Sequence, residues 1–155
     1  MMSLLTWLMI LASGLMAGLY FAFSSFIMRA LVSVDAGGGA RAMIAINQVI
    51  LKSPFLPVFF ASTLLAAGLT VYAFTRLPDT ASMTLIAAGV VYLAGMFAVT
   101  GLFNVPLNDL LNKAGPADEV VWSTYAARWT MWNHLRAAAS FVSLVLYVSA
   151  LTRLA

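Results

Sequence analysis

Four stretches of this chain, residues 4–28, 54–74, 83–105 and 132–151, each reach the roughly 20 apolar residues that a bilayer crossing requires. None contains an acidic residue, and His134 and Arg136, near one end of the fourth, are their only ionisable groups apart from tyrosines. A spanning segment must satisfy its own backbone in lipid, and the ten-residue alternation of a barrel is missing. The chain of 155 residues is therefore expected to be all-α, a four-helix transmembrane bundle forming one integral-membrane domain over residues 1–155. Composition agrees. Hydrophobic residues make up 63% and charged residues 8%, whereas a soluble domain is about half apolar and about a quarter charged. The first stretch lacks the basic start of a signal peptide and is too long for its apolar segment, so it reads as a retained span.

The same composition narrows the chemistry. There is no cysteine, which removes disulfides, thiolate metal sites and cysteine nucleophiles. Eight basic residues against five acidic ones, without a basic cluster, argue against nucleic acid as a partner and leave membrane lipid. One histidine and five acids argue against a metal site, so none is expected. A bis-histidine haem cannot form within one chain; a single-histidine haem stays open.

The connections differ in kind. The second, around "TRLPDTAS", is a tight turn. The first begins with "DAGGGA", read as a flexible glycine run, and continues with "RAMIAINQVILKSP", whose spacing predicts a short interfacial helix ending before Pro54. The third holds "GPADE", a helix-start pattern, and a second interfacial helix is expected there, one that can run into the fourth span. Six Lys/Arg lie in or beside the first and third connections and two on the other side. That bias predicts those connections in the cytoplasm and both termini on the non-cytoplasmic side, in the inner membrane of a bacterium.

Polar residues gather at one end. At about 100° per residue, Trp122, Tyr125, Trp129, Asn133, Arg136, Ser140, Ser143 and Tyr147 share one helical stripe, and such a stripe belongs in the bundle interior. His134 falls at the edge of that face or on the next one. Thr100, Asn104 and Asn108 are spaced four apart around Pro106, which frees carbonyls near Leu102. Ser25, Arg29 and Asn47 fall near the same surface by topology, and Gly14 and Gly18 are spaced for close helix packing, within the bundle or in a homo-oligomer. Each feature has a plain reading: a snorkelling arginine, belt tryptophans, interhelical asparagines. Together they favour a pocket. A histidine base among amide and guanidinium donors suits deprotonation of a carbon acid beside a carbonyl, and the aromatics suit a flat, hydrophobic aromatic small molecule from the membrane.

"GLMAGLYFAFSSFIMRAL", "AMIAINQVI", "NVPLND" and "WSTYAARWTMWNHLR" resemble, in that order and over most of the chain, a family of small four-span membrane proteins that includes the anthrone oxygenases. The closest parts are N-x-P-x-N at Asn104, Pro106 and Asn108, and W-x3-N-x2-R at Trp129, Asn133 and Arg136. The resemblance implies a cofactor-free monooxygenase with O2 as co-substrate. In that scheme His134 is the base, Asn133 and Arg136 act with it, and Asn104 and Asn108 bind the anion. Asn47 closes the pocket; Trp129 and Ser25 complete the substrate-binding set. The alternative is a non-enzymatic membrane module binding a quinone, a haem or a partner membrane protein. A transporter subunit is weaker, since the chain has no repeat and no broken mid-span helix.

Overall fold

The structure, a computed structural model, describes residues 2–76 and 78–154, and every regular element among them is helical. Helix α1 spans Met2–Ser33, α2 Ala36–Ile50, α3 Phe55–Phe74, α4 Thr80–Ala114 and α5 Glu119–Leu154. All but α2 are long and apolar enough to cross a membrane. With 36 residues, α5 is about 54 Å long and exceeds the roughly 30 Å hydrocarbon layer. Around the bundle the order is α1, α5, α4, α3, with α3 closing back onto α1. Their outward faces carry exposed Leu11, Leu15, Phe21, Leu64, Val71, Val90 and Val145, as lipid contact requires. Inside, Met9, Met16, Leu69, Leu85, Ala88, Tyr92, Met96 and Tyr147 form the main core.

Aspartates begin three of the helices. Asp35 accepts from the Gly38 N–H at 2.7 Å, Asp79 from the Ser82 N–H at 2.9 Å and Asp118 from the Val121 N–H at 2.9 Å. Each satisfies one of the donors that a helix start leaves open. The Asp79 carboxyl is held below the usual aspartate range, first by the Ser82 N–H and then by the Ser82 hydroxyl.

Two expectations for the connections change. The glycine run is not a flexible linker: Gly37–Gly39 form the first turn of α2. A Cβ on Gly39 would collide with the Leu31 carbonyl and the Trp122 ring, so only glycine lets α2 sit this close to α1 and α5. The third connection holds no separate interfacial helix. The third span continues through Pro106 to Ala114, residues 115–118 make the turn, and the fourth begins at Glu119. Pro106 is absorbed because a π-helical turn, Thr100–Asn104, precedes it and shifts the local bonding. Gly14 and Gly18 do not make a tight contact either. Leu144 lies 4.0 Å from a Cβ placed on Gly14, nothing lies within 4 Å of one on Gly18, and both border an open groove with Ala137 and Phe141.

Met2 and Leu154 border the same surface hollow as Arg76 and Asp79, so both ends of the described chain share one end of the bundle with the second connection. At the opposite end α2 lies across α1, α4 and α5. A second core of Phe23, Met28, Met43, Leu111, Trp122, Tyr125 and Trp129 fixes it there. The polar cluster lies between the two cores.

Candidate functional site at the Arg136 chamber

The α5 stripe faces inward as one continuous helix, with Asn133 fully buried and Arg136 5% exposed. Neither side chain is free to turn. The Asn133 amide donates to the Tyr20 carbonyl at 2.7 Å and to the Ser24 hydroxyl at 2.7 Å, tying α5 to α1. Its oxygen accepts from Arg136 Nη2 at 2.8 Å, and Arg136 Nη1 donates to Thr100 Oγ1 on α4 at 3.3 Å. The guanidinium carbon also sits 4.4 Å from the centroid of the Tyr20 ring and 4.9 Å from that of Trp129. Two aromatic faces and two neutral oxygens thus hold the charge. No carboxylate shares in this: among the described residues the one ion pair is Arg41–Asp35, and it is exposed.

Three π-helical turns, Phe23–Ile27, Leu93–Ala98 and Thr100–Asn104, flank this cluster on α1 and α4. Each inserts a residue into the helical count and rotates the remainder of its helix, a device common at functional sites. Within the first, the Ser25 hydroxyl bonds back to the Phe21 carbonyl at 2.7 Å. Ser25 therefore serves its own helix, and its neighbour Ser24 reaches Asn133.

A cavity of about 360 Å3 opens beside the guanidinium, within the size range of small-molecule pockets. Tyr20, Asn47, Thr100, Asn108, Trp129 and Arg136 supply its polar groups, and Leu19, Phe23, Met43, Phe55 and Phe59 most of its apolar wall. Exposed Leu51, Phe60 and Val105 form its outer lip, so the chamber opens toward the lipid-facing side between α2, α3 and α4. Several of its buried polar atoms have no hydrogen-bond partner: Arg136 Nε, Trp129 Nε1, Asn47 Nδ2 and the Tyr20 hydroxyl. Such orphans are costly in a low-dielectric interior; Ser13, Asn104, Ser140 and Tyr147 have others elsewhere, but the four beside this cavity are the ones a ligand in it could meet.

The residues expected from sequence divide. Asn47, Asn108, Trp129 and Arg136 line the chamber, and Asn133 braces it from behind. Asn108 accepts from the Tyr125 hydroxyl at 3.0 Å. Asn104 is 1% exposed and donates to the Trp129 carbonyl at 3.2 Å, so it joins α4 to α5 and does not border the cavity. Trp122 and Trp129 are buried and not belt residues, while Trp132 stacks on Phe103 at 3.7 Å. His134 is carried outward by the 100° step from Asn133 and lies in a different, open groove with Met28, Arg29 and Trp122. The residue expected as base is therefore outside the chamber.

Tyr20, Ser24 and Thr100 belong to the arrangement as well. Tyr20 and Ser24 lie four apart on α1 and meet the same amide, Tyr20 through its main-chain carbonyl and Ser24 through its hydroxyl. No three His, Cys, Asp or Glu come together among the described residues.

This geometry rests largely on the segment that a comparison with protein families recognises. The model of the anthrone oxygenase family matches residues 49–146. The chain belongs to the anthrone oxygenase family. Within the matched segment lie Thr100, Asn104, Asn108, Trp129, Asn133 and Arg136, the α4 and α5 contributions to the site. The α1 and α2 contributions of this anthrone oxygenase family member, Tyr20, Ser24 and Asn47, precede it. Neither the curated proteins nor the solved structures contain a match.

Proposed function

We propose that this membrane protein is an oxygenase that converts an apolar, anthrone-like or phenolic carbon acid to a quinone with O2, without metal or flavin. The observation that carries the reading is Arg136, a buried guanidinium with no carboxylate partner at the wall of an apolar chamber. A buried, unpaired cation favours a ligand able to become an anion, and the aromatic walls favour one that is flat and apolar. An anthrone meets both demands. It enters neutral, and loss of a proton from its CH2 group places negative charge on the carbonyl oxygen. Arg136 then compensates that charge, while Trp129 Nε1 and Asn47 Nδ2 are unpaired donors available to the oxygen. Asn133 orients the guanidinium.

The chemistry balances without further reagents. The enolate transfers an electron to O2, and the radical pair combines to form a carbon–oxygen bond. Protonation gives the hydroperoxide, and loss of water leaves the new carbonyl. Overall, one CH2 and one O2 become one C=O and one H2O.

Oxygen uptake by the purified, detergent-solubilised protein with a simple anthrone such as dithranol tests this. A protein-free blank and Asn133→Ala correct for spontaneous oxidation. Uptake well above both, with quinone formed, is expected. No excess uptake, with quinone still quenching tryptophan fluorescence, would leave the chamber as a quinone-binding site and overturn the oxygenase reading.

A further inference from the structure

We infer that the groove between α1 and α5 holds a phospholipid whose headgroup carries an ammonium outside its phosphate, as phosphatidylethanolamine does. The inference stands apart from the oxygenase reading. The groove, about 870 Å3 in volume, lies on the other side of the bundle from the chamber's doorway. Arg29 and Ser33 on α1 and Glu119, Ser123, Thr130 and His134 on α5 supply its polar groups. Arg29 and Glu119 carry opposite charges along one groove yet do not pair with each other, since the one ion pair among the described residues is Arg41–Asp35. Two opposite, unpaired charges with space between them complement a dipolar group.

Depth along the helices orders these groups. Leu31 and Trp122 meet beside Gly39, and the Phe23 and Trp129 rings lie 5.5 Å apart. The two helices thus run antiparallel, and Arg29 falls between the levels of Trp122 and Trp129. From the end of the bundle inward, the groove presents a carboxylate, a guanidinium, and then the Thr130 hydroxyl and the His134 imidazole. One turn deeper on the same α5 face, Ala137, Ala138 and Phe141 border an apolar hollow of about 450 Å3 with Gly14 and Gly18. A phospholipid of this kind has the same order: ammonium, phosphate, ester groups, acyl chain. Glu119 accepts from the ammonium and Arg29 donates to the phosphate. Thr130 and His134 donate to ester carbonyls, and one chain lies in the hollow, where nothing stands within 4 Å of a Cβ on Gly18. Glu119 and Thr130 are separated by roughly 16 Å along the helix, room for the headgroup and its contacts at both ends. A second copy of the chain complements the groove less well. A two-fold axis along the membrane normal would set Arg29 beside Arg29 and Glu119 beside Glu119, like charges at one depth.

Native mass spectrometry of the detergent-purified protein, mixed with equal amounts of dioleoyl phosphatidylethanolamine, phosphatidylglycerol and phosphatidylcholine, reads the preference directly. One retained lipid per chain is expected, with the ethanolamine lipid favoured roughly 2- to 5-fold over the other two, as an exposed ion pair allows. Glu119→Gln is expected to remove that preference, and Arg29→Gln to lower retention of all three lipids. Both side chains are exposed, so neither change threatens the fold. Gly18→Leu, which fills the hollow, is expected to reduce retention of each lipid and leave the order among headgroups unchanged. Equal retention of the three lipids by wild type, or an ethanolamine preference that survives Glu119→Gln, overturns the inference. A dimer that excludes lipid also overturns it and gives the groove to a second copy.

Discussion

The side-chain amide of Asn133 donates to the main-chain oxygen of Tyr20 at 2.7 Å, joining positions 113 apart in the sequence. The same amide group presents its oxygen to Arg136. One side chain thus fixes both the distance between α1 and α5 and the direction of the guanidinium. Asn133→Ala should lose turnover and also destabilise the fold by roughly 1–3 kcal/mol, since a buried carbonyl and a buried guanidinium nitrogen lose partners. Thermal unfolding in detergent, alongside oxygen uptake, checks both effects.

Arg136 should behave differently. Methionine at this position removes the charge that compensates the anion, and turnover should drop about 100- to 1000-fold, as when other oxyanion donors are removed. It also removes an uncompensated buried charge, which offsets the partner lost by the Asn133 oxygen, so Arg136→Met should lower the melting temperature less than Asn133→Ala does. A variant that is inactive and unstable together would mean that the guanidinium is structural.

His134→Ala discriminates between a base inside the chamber and one outside it. The imidazole lines the outer groove, so turnover should stay close to wild type. A collapse of kcat with folding intact would return proton abstraction to the histidine.

Gly39→Ala should displace α2, because the obstacle to a Cβ there includes the Leu31 backbone, which cannot rotate away. A cost of roughly 1–3 kcal/mol is expected, as for other overpacked sites. Asn47 and Met43 ride on this helix and line the chamber, so KM for the anthrone should rise more than kcat falls.

The cap at Asp79 carries a pH signature. Its carboxyl titrates lower when folded than when unfolded, so its contribution is present above the unfolded value and disappears as pH falls through the folded one. Asp79→Ala should therefore lower the melting temperature at neutral pH, with the difference from wild type closing in acid. A difference independent of pH would assign the effect to something other than the charge.

Helix number and the buried face of α5 were legible in the sequence because both derive from period and length. Trp122, Asn133, Arg136 and Tyr147 share a stripe at 3.6 residues per turn, and that stripe is the buried one. The features that escaped depended on departures from that period. The π-helical turns at Phe23–Ile27 and Thr100–Asn104 have no residue signature comparable to a proline or a cap. Through the first, Ser24 and not Ser25 meets Asn133. Through the second, the helix passes Pro106, where sequence alone suggested a break. Residues 37–39 misled for another reason: glycine marks flexibility and tight packing with the same letter, and Trp122, far along the chain, decides between them. Tyr20 was hidden because a tyrosine within an apolar span carries no signal until its partner Arg136 is placed.

The apolar lip formed by Leu51, Phe60 and Val105 makes the chamber's doorway selective by electrical state. On the proposed reaction, a neutral carbon acid dissolved in the bilayer would cross it, but the enolate would not leave the same way without abandoning its only counterion to hydrocarbon. Escape becomes possible again when the molecule is a neutral quinone. The doorway would then pass neutral molecules in both directions and hold back only the charged intermediate, keeping it for O2.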